Sequence, residues 1–184
     1  MKIIVVGDTL VSSDYMEKQA ERLFPGHDKK IVKFDWEMKT KEEFQEVILD
    51  LEKNGPEARK LTEEITNELA DADILMVHFA PVSADTLEKA KNLKLIGTCR
   101  GGVEHIDIEA ATRKNIPVLH VIRNAEPVAE FTLGLIYSEC RNIARSHVSI
   151  KNGGWRKSFP NSRYVTTLSE LSVGLLGMGY IGKI

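Results

Sequence analysis

Short, almost wholly apolar runs alternate along the chain with longer segments in which apolar residues recur at helical spacing. The apolar runs predict strands over Ile3–Val6, Ile31–Phe34, Ile74–Phe79, Leu93–Gly97, Pro117–Val121 and Val173–Leu176. Runs this short and this uniformly apolar are typical of strands buried on both faces, as in a parallel sheet covered by helices. The alternation therefore predicts an open, doubly wound α/β fold.

The segments between these strands carry the helical spacing. They predict helices over Asp14–Phe24, Ser83–Ala90, Asp107–Lys114 and Glu126–Ile150. The last of these is a single long helix, and it tolerates Pro127 because the proline lies in its first turn. The stretch from Trp155 to Thr167 has no clear period, which predicts a loop that leads into the final strand.

The composition is that of an ordinary globular protein. The 184 residues include 25 Lys and Arg against 27 Asp and Glu, for a net charge of −2, and 42% are hydrophobic. These values exclude disordered and fibrous classes, and the dispersed positive charge argues against a nucleic-acid partner. The longest uncharged stretches, Ile74–Ala84 and Leu171–Gly182, are shorter than the roughly 18 apolar residues of a membrane span.

The amino-terminus and the cysteines bear on cellular location. The first apolar run meets Asp8 after only a few residues, unlike a secretory signal, so we expect a cytoplasmic protein. Cys99 and Cys140 stand alone, without a CxxC motif or a histidine at ligand spacing. We therefore expect reduced thiols and no metal site.

Two glycine-rich turns could bind anions. The final predicted strand runs directly into Gly177, Gly179 and Gly182, the GxGxxG spacing of a dinucleotide-binding turn, with Tyr180 and Ile181 inside it. In such a turn the glycines allow the tight bend, the approach of a pyrophosphate and close packing of helix on strand. The spacing alone is a weak signal, but its position after an apolar strand strengthens it.

The second turn follows the strand that ends at Gly97 and contains Arg100, Gly101, Gly102 and Val103. Its backbone N–H groups can form an anion-binding nest at the carboxyl end of a strand, and Arg100 adds a positive charge. An ordinary strand-to-helix turn explains the same residues equally well.

Three histidines also lie at strand ends or in turns. His78, His105 and His120 have no partner at a fixed spacing, so we expect hydrogen-bonded or solvent-facing histidines and no Ser/His/Asp set.

These segments together resemble the D-isomer-specific 2-hydroxyacid dehydrogenases, the family of phosphoglycerate, glycerate and D-lactate dehydrogenases. The second half of the chain matches closely in order and spacing, whereas the first 70 residues match only as an α/β pattern. The resemblance rests on Asn92–Gly97, Arg100–Glu104, Asp107, Asn115–Val118, Arg123–Thr132, Arg141–Asn142, Gly154–Trp155 and Leu168–Lys183.

The resemblance implies a flavodoxin-like substrate domain followed by the start of a Rossmann NAD-binding domain. Residues 1–121 would be the first part of the substrate domain, and residues 122–184 the crossover helix with the first strand and glycine turn of a truncated nucleotide domain. The turn from Arg100 to Val103 would hold the substrate carboxylate. Asn124 and Val128, with the glycine turn, would contact the cofactor, which is NAD with NADP not excluded.

The resemblance also implies hydride transfer between the nicotinamide and C2 of a small 2-hydroxy or 2-keto acid. The catalytic His, Glu and Arg of the family follow the glycine turn, so no catalytic residue can be assigned here and we expect this chain alone to be inactive. The full-length enzyme would be a homodimer. Two alternatives stay open: a corepressor-like binding or regulatory protein on the same scaffold, and a truncated remnant.

Overall fold

A computed structural model of the chain describes residues 1–26, 28–36 and 40–184. The chain divides into two compact units, Met1–Arg123 and Asn124–Ile184. Within the described residues, no helix is both long and apolar enough to cross a membrane.

The first unit is built on one parallel sheet. Its described strands are β1 Lys2–Gly7, β2 Lys30–Asp35, β3 Ile74–Val77, β4 Leu95–Thr98 and β5 Val118–His120. They lie in the order β2-β1-β3-β4-β5, and each neighbouring pair is parallel. This is the flavodoxin-like order, in which the strand sequence reverses direction between β1 and β3. The predicted doubly wound α/β fold is confirmed.

The helices of this unit begin where the sequence supplies a capping side chain. They are α1 Ser13–Leu23, α2 Lys41–Asn54, α3 Glu63–Glu68, α4 Ala84–Lys89 and α5 Ile108–Arg113, with 3₁₀ turns at Pro56–Ala58 and Leu69–Asp71. Before each α-helix a Ser, Thr or Asp side chain accepts a hydrogen bond from a first-turn N–H group; the caps are Ser12, Thr40, Thr62, Ser83 and Asp107. Each cap satisfies a donor that would otherwise have no intrahelical partner.

The sheet is covered on both faces because successive residues of β1 point to opposite sides. Ile4 and Val6 pack into the larger core, with Phe44 of α2. Ile3 and Val5 pack into the smaller core, with Met16 of α1. All four β1 side chains are fully buried, which explains why the strand lacks polar alternation.

The second unit is helical, and here one prediction fails. The single long helix expected over Glu126–Ile150 is two helices, α6 Ala125–Cys140 and α7 Ile143–Lys151. The break falls at Asn142, which has φ 55° and ψ 32°, the left-handed conformation that ends a helix. Asparagine tolerates this conformation better than most residues, so the break has a local cause in the sequence.

The expected final strand is also wrong. Val173–Leu176 has no strand structure, and residues 124–184, all of which are described, contain no strand with which it could pair. A strand must exchange backbone hydrogen bonds with a neighbour, so an apolar run without one does not form it. The rest of this unit has short 3₁₀ turns at Ser162–Tyr164, Leu168–Glu170 and Ile181–Lys183.

Candidate functional site

The carboxyl ends of the parallel strands bring several polar residues to one edge of the sheet. Asp8 directly follows β1, His78 directly follows β3, and Arg100 opens the turn after β4. Ligands of open α/β sheets bind at this edge, near the point where the strand order reverses. Two groups of contacts can be distinguished here.

The first group is a buried pair between Asp8 and His78. The Nδ1–H group of His78 donates to the Asp8 carboxylate, 2.8 Å from Oδ2, and both side chains are fully buried. The same carboxylate accepts from the N–H groups of Leu10, Val11 and Phe79 at 2.9 to 3.1 Å. Burial alone would raise the pKa of Asp8, but these hydrogen bonds outweigh it and hold the pKa below its ordinary value.

The second ring nitrogen of His78, Nε2, is buried and has no hydrogen-bond partner in the described part of the chain. The ring meets the ring of Phe79 edge-on, at 4.7 Å between centroids. The imidazole is fully buried, and its hydrogen bond to Asp8 connects the end of β3 to the end of β1. It is not exposed to a ligand from solvent.

The second group surrounds the predicted substrate turn. Gly101 is exposed and Gly102 and Val103 are half-buried. Among the described residues, no hydrogen bond uses the N–H groups of these three residues. The carbonyl of Gly101 accepts from His120 Nδ1 at 2.9 Å. The turn therefore offers three consecutive backbone donors at the carboxyl edge of the sheet.

Arg100 differs from the expected free cation. Its Nη2 atom lies 2.9 Å from Glu52 Oε1, and its Nη1 atom lies 3.6 Å from Glu104 Oε2. The guanidinium carbon lies 3.8 Å from the centroid of the Phe79 ring, a cation–π contact. Only 13% of the side chain is exposed. Two carboxylates and an aromatic face thus surround the guanidinium.

His105 lies beneath the turn and is uncharged. Burial is the largest of the effects that lower the pKa of His105 to about 3, and the positive charge of Arg100 adds to it. Its Nε2 atom lies 3.0 Å from the Thr98 hydroxyl, and Nδ1 is 3.5 Å from Arg100 Nη1. Since Arg100 can only donate, Nδ1 is the acceptor and Nε2 carries the proton.

The expectation of hydrogen-bonded or solvent-facing histidines is confirmed, since His78, His105 and His120 each have a polar partner. The sequence did not predict that Asp8 would pair with His78, or that Glu52 would pair with Arg100. Asp8 could have been found, because it closely follows the predicted strand Ile3–Val6, His78 lies near the end of the predicted strand Ile74–Phe79, and such ends meet at one edge of a parallel sheet. Glu52 lies 48 residues from Arg100, in the last turn of α2, and carries no such signal.

The residues predicted to contact a cofactor all lie in the second unit. Gly177 has φ 91°, a conformation that favours glycine, and a Cβ atom on Gly182 would lie 2.9 Å from the Gly177 carbonyl oxygen. The intervening Gly179, Tyr180 and Ile181 are exposed. The turn therefore closes tightly, in a way that requires glycine at its first and last positions.

The turn leads into the 3₁₀ helix Ile181–Lys183, which contacts α6. Asn124 and Val128 lie at the start of α6, where the Val128 N–H group donates to the Asn124 carbonyl at 3.2 Å. Both are exposed. The cofactor candidates therefore lie on two elements of one unit.

Comparison with protein families identifies the chain. The model of the D-isomer specific 2-hydroxyacid dehydrogenase catalytic domain matches residues 31–175. This protein belongs to that family. Among curated relatives, D-3-phosphoglycerate dehydrogenase of Methanocaldococcus jannaschii is 40% identical over 124 residues, and the human enzyme of the same name is 39% identical. Hydroxypyruvate reductase of Thermotoga maritima is 37% identical over 123 residues.

These matches cover only part of the relatives. The match to the Methanocaldococcus jannaschii enzyme spans 66% of this chain but 23% of that protein. Among solved structures, D-lactate dehydrogenase from Aquifex aeolicus, complexed with NAD and lactic acid, superposes with a TM-score of 0.62 at 22% identity. That match covers 98% of this chain and 46% of the other, and it supports the family fold.

Proposed function

We propose that this chain supplies the substrate-binding part of an NAD(P)-dependent dehydrogenase. The reaction would transfer hydride between the nicotinamide and C2 of a small 2-hydroxy or 2-keto acid. Family membership supports this reaction class, and so do relatives named as phosphoglycerate dehydrogenase, hydroxypyruvate reductase and glyoxylate reductase.

The observation that carries the proposal is the turn after β4. The N–H groups of Gly101, Gly102 and Val103, unused among the described residues, are suited to a carboxylate because consecutive backbone donors can form an anion-binding concavity. The Glu104 carboxylate lies against Gly102 and would have to move aside for the substrate. A carboxylate held there would fix one end of a 2-keto acid and orient its C2 carbon for the transfer. Charge-assisted hydrogen bonds of this kind are stronger than neutral ones.

We assign the dinucleotide cofactor to the glycine turn of the second unit and to the start of α6. The closure of Gly177 on Gly182 makes the turn tight, and the open space around Gly179 leaves room for a pyrophosphate to approach its backbone. We assign Tyr180 and Ile181 to the same cofactor contact. Asn124 and Val128 would lie near the nicotinamide end. When bound, the nicotinamide supplies or accepts the hydride.

The two buried histidines at the sheet edge, His78 and His105, are not suited to proton transfer in this reaction. His78 is fully enclosed, and both nitrogens of His105 contact neighbours while its low pKa keeps the ring neutral. In this proposal the turn binds and orients the substrate, and neither buried histidine is the general acid. We further propose that the 184-residue chain alone shows no NADH-dependent reduction of 2-keto acids.

Nuclear magnetic resonance tests the substrate site directly. The ¹⁵N-labelled chain would be titrated with pyruvate, and the amide signals of Gly101, Gly102 and Val103 should shift saturably. Hydroxyacetone, which replaces the carboxylate with a hydroxymethyl group, is the matched control and should leave these signals in place. Equal shifts with both compounds, or none with pyruvate, would contradict the proposed site. The same samples, assayed by NADH oxidation, test the expected lack of turnover.

A further inference from the structure

The contacts of Arg100 leave little room for a ligand. Nη2 is paired with Glu52 at 2.9 Å, Nη1 faces both Glu104 and His105, and the planar face lies over Phe79. An incoming carboxylate would have to displace Glu52 to form a comparable pair. The enclosed guanidinium is therefore engaged with the protein before any substrate arrives.

These partners come from separate parts of the first unit. Glu52 lies in α2, Phe79 follows β3, and Glu104 and His105 lie at the far end of the turn that Arg100 opens. Arg100 consequently links helix α2 and the end of β3 to both ends of the turn. Guanidinium suits this role because its planar fork can pair with carboxylates while its face stacks on a ring.

The carbonyl groups of the turn are fixed as well. The Val121 N–H group donates to the Arg100 carbonyl at 3.0 Å, and His120 donates to the Gly101 carbonyl. The side chain and the carbonyls are thus occupied, while the N–H groups of Gly101 to Val103 stay unused among the described residues. Such an arrangement pre-organises donors before binding, which reduces the cost of ordering them.

We propose that Arg100 is a positioning residue, whose contacts with Glu52, Phe79 and Glu104 hold the Gly101–Val103 turn in its anion-binding conformation without touching the anion. This inference rests on the proposed function for the identity of the anion. The positioning role and direct binding predict different pyruvate affinities when Glu52, the partner of Arg100, is neutralised.

Two variants of the full chain separate the alternatives. Arg100→Lys keeps the positive charge but loses the planar fork and the stacked face. Glu52→Gln removes the negative charge that pairs with Arg100, so the guanidinium loses its main ion pair and keeps its own charge. Arg113→Gln on α5, whose side chain is exposed and lies 4.0 Å from Glu109, is the matched control. Dispersed ¹⁵N spectra confirm that each variant is folded.

Two readouts are compared. Order parameters of the Gly101–Val103 amides in the ligand-free chain should fall from about 0.85 toward about 0.6 in both test variants. Pyruvate should bind about tenfold more weakly to both, a loss of roughly 1.4 kcal/mol. The control should keep its order parameters near about 0.85 and should change the affinity for pyruvate by less than about twofold.

The opposite results would overturn the inference. Direct binding by Arg100 predicts that Glu52→Gln binds pyruvate more tightly, because a competing carboxylate is gone. The affinity of Arg100→Lys falls under either role, because lysine lacks the planar fork, so this variant is judged by its order parameters. If the unmodified chain does not bind pyruvate, the proposed function fails, and the order parameters alone decide whether Arg100 positions the turn. Unchanged order parameters in both variants would refute the positioning role.

Discussion

At the scale of single residues, burial and pairing fix the protonation states at the sheet edge. His105 stays neutral because the interior disfavours the imidazolium and Arg100 repels it. Asp8 stays ionised because donors on several sides compensate for its burial. Because the pKa of each group differs between the folded and unfolded chain, each makes the free energy of unfolding depend on pH.

His105 predicts a loss of stability in mild acid. Between pH 6.5 and about 3 the unfolded chain takes up a proton on this imidazole and the folded chain does not. The free energy of unfolding should therefore decrease as the pH falls below 6.5, by up to about 1.4 kcal/mol per pH unit. His105→Gln, which can donate and accept but does not titrate there, should flatten the dependence. Urea unfolding from pH 6.5 to 4.5 measures it.

An internal control comes from the same measurement at higher pH. Between about pH 7.5 and 8.5 the imidazole is almost wholly neutral in both states, so the two proteins should have parallel profiles. Identical slopes for both proteins between pH 6.5 and 4.5 would show that His105 does not account for the acid sensitivity.

At the scale of elements, β1 and α1 are packed closely where the chain connects them. A Cβ atom on Gly7 would lie 2.1 Å from the backbone nitrogen of Ser13, so the start of α1 sits against the end of β1. Asp35 at the end of β2 accepts from both the N–H and the hydroxyl group of Ser13, at 2.9 Å each. This close approach sets the position of Asp8 and hence its pairing with His78.

Gly7→Ala should be strongly destabilising, because the new methyl group meets backbone that cannot move without shifting α1. We expect a loss of at least about 2 kcal/mol in the free energy of unfolding. Gly97→Ala in β4 is the matched control, since its Cβ atom would lie 3.9 Å from the Met76 side chain, an ordinary contact. Its loss should stay within about 1 kcal/mol. Denaturant titration of both variants tests the difference, and equal losses would refute the close packing.

At the scale of the whole molecule, the two units are unequal in structure. Residues 1–123 contain the described sheet and buried apolar residues on both its faces. Residues 124–184 are helical or irregular, and large apolar side chains such as Phe131 and Leu176 are exposed on them. The first unit therefore has the properties of a domain that folds independently.

Residues 1–123 should accordingly fold without the second unit. The excised fragment should unfold cooperatively on heating, as followed by circular dichroism, and its amide signals from β1, β3 and β4 should overlay those of the full chain. The complementary fragment 124–184 serves as the comparison and should lack a cooperative transition. A fragment 1–123 with a collapsed, poorly dispersed spectrum would show that its sheet depends on the remaining residues.

The sequence by itself determined the parallel α/β architecture and the place of the turn after β4. It could do so because burial on both faces and helical spacing are local patterns, and because glycine-rich turns mark strand ends. Tertiary structure alone decided that Asp8 pairs with His78 and Glu52 with Arg100, 70 and 48 residues apart, since such pairings depend on strand order and helix position. It also decided that Val173–Leu176 is not a strand, because strand formation requires a partner that local sequence does not specify.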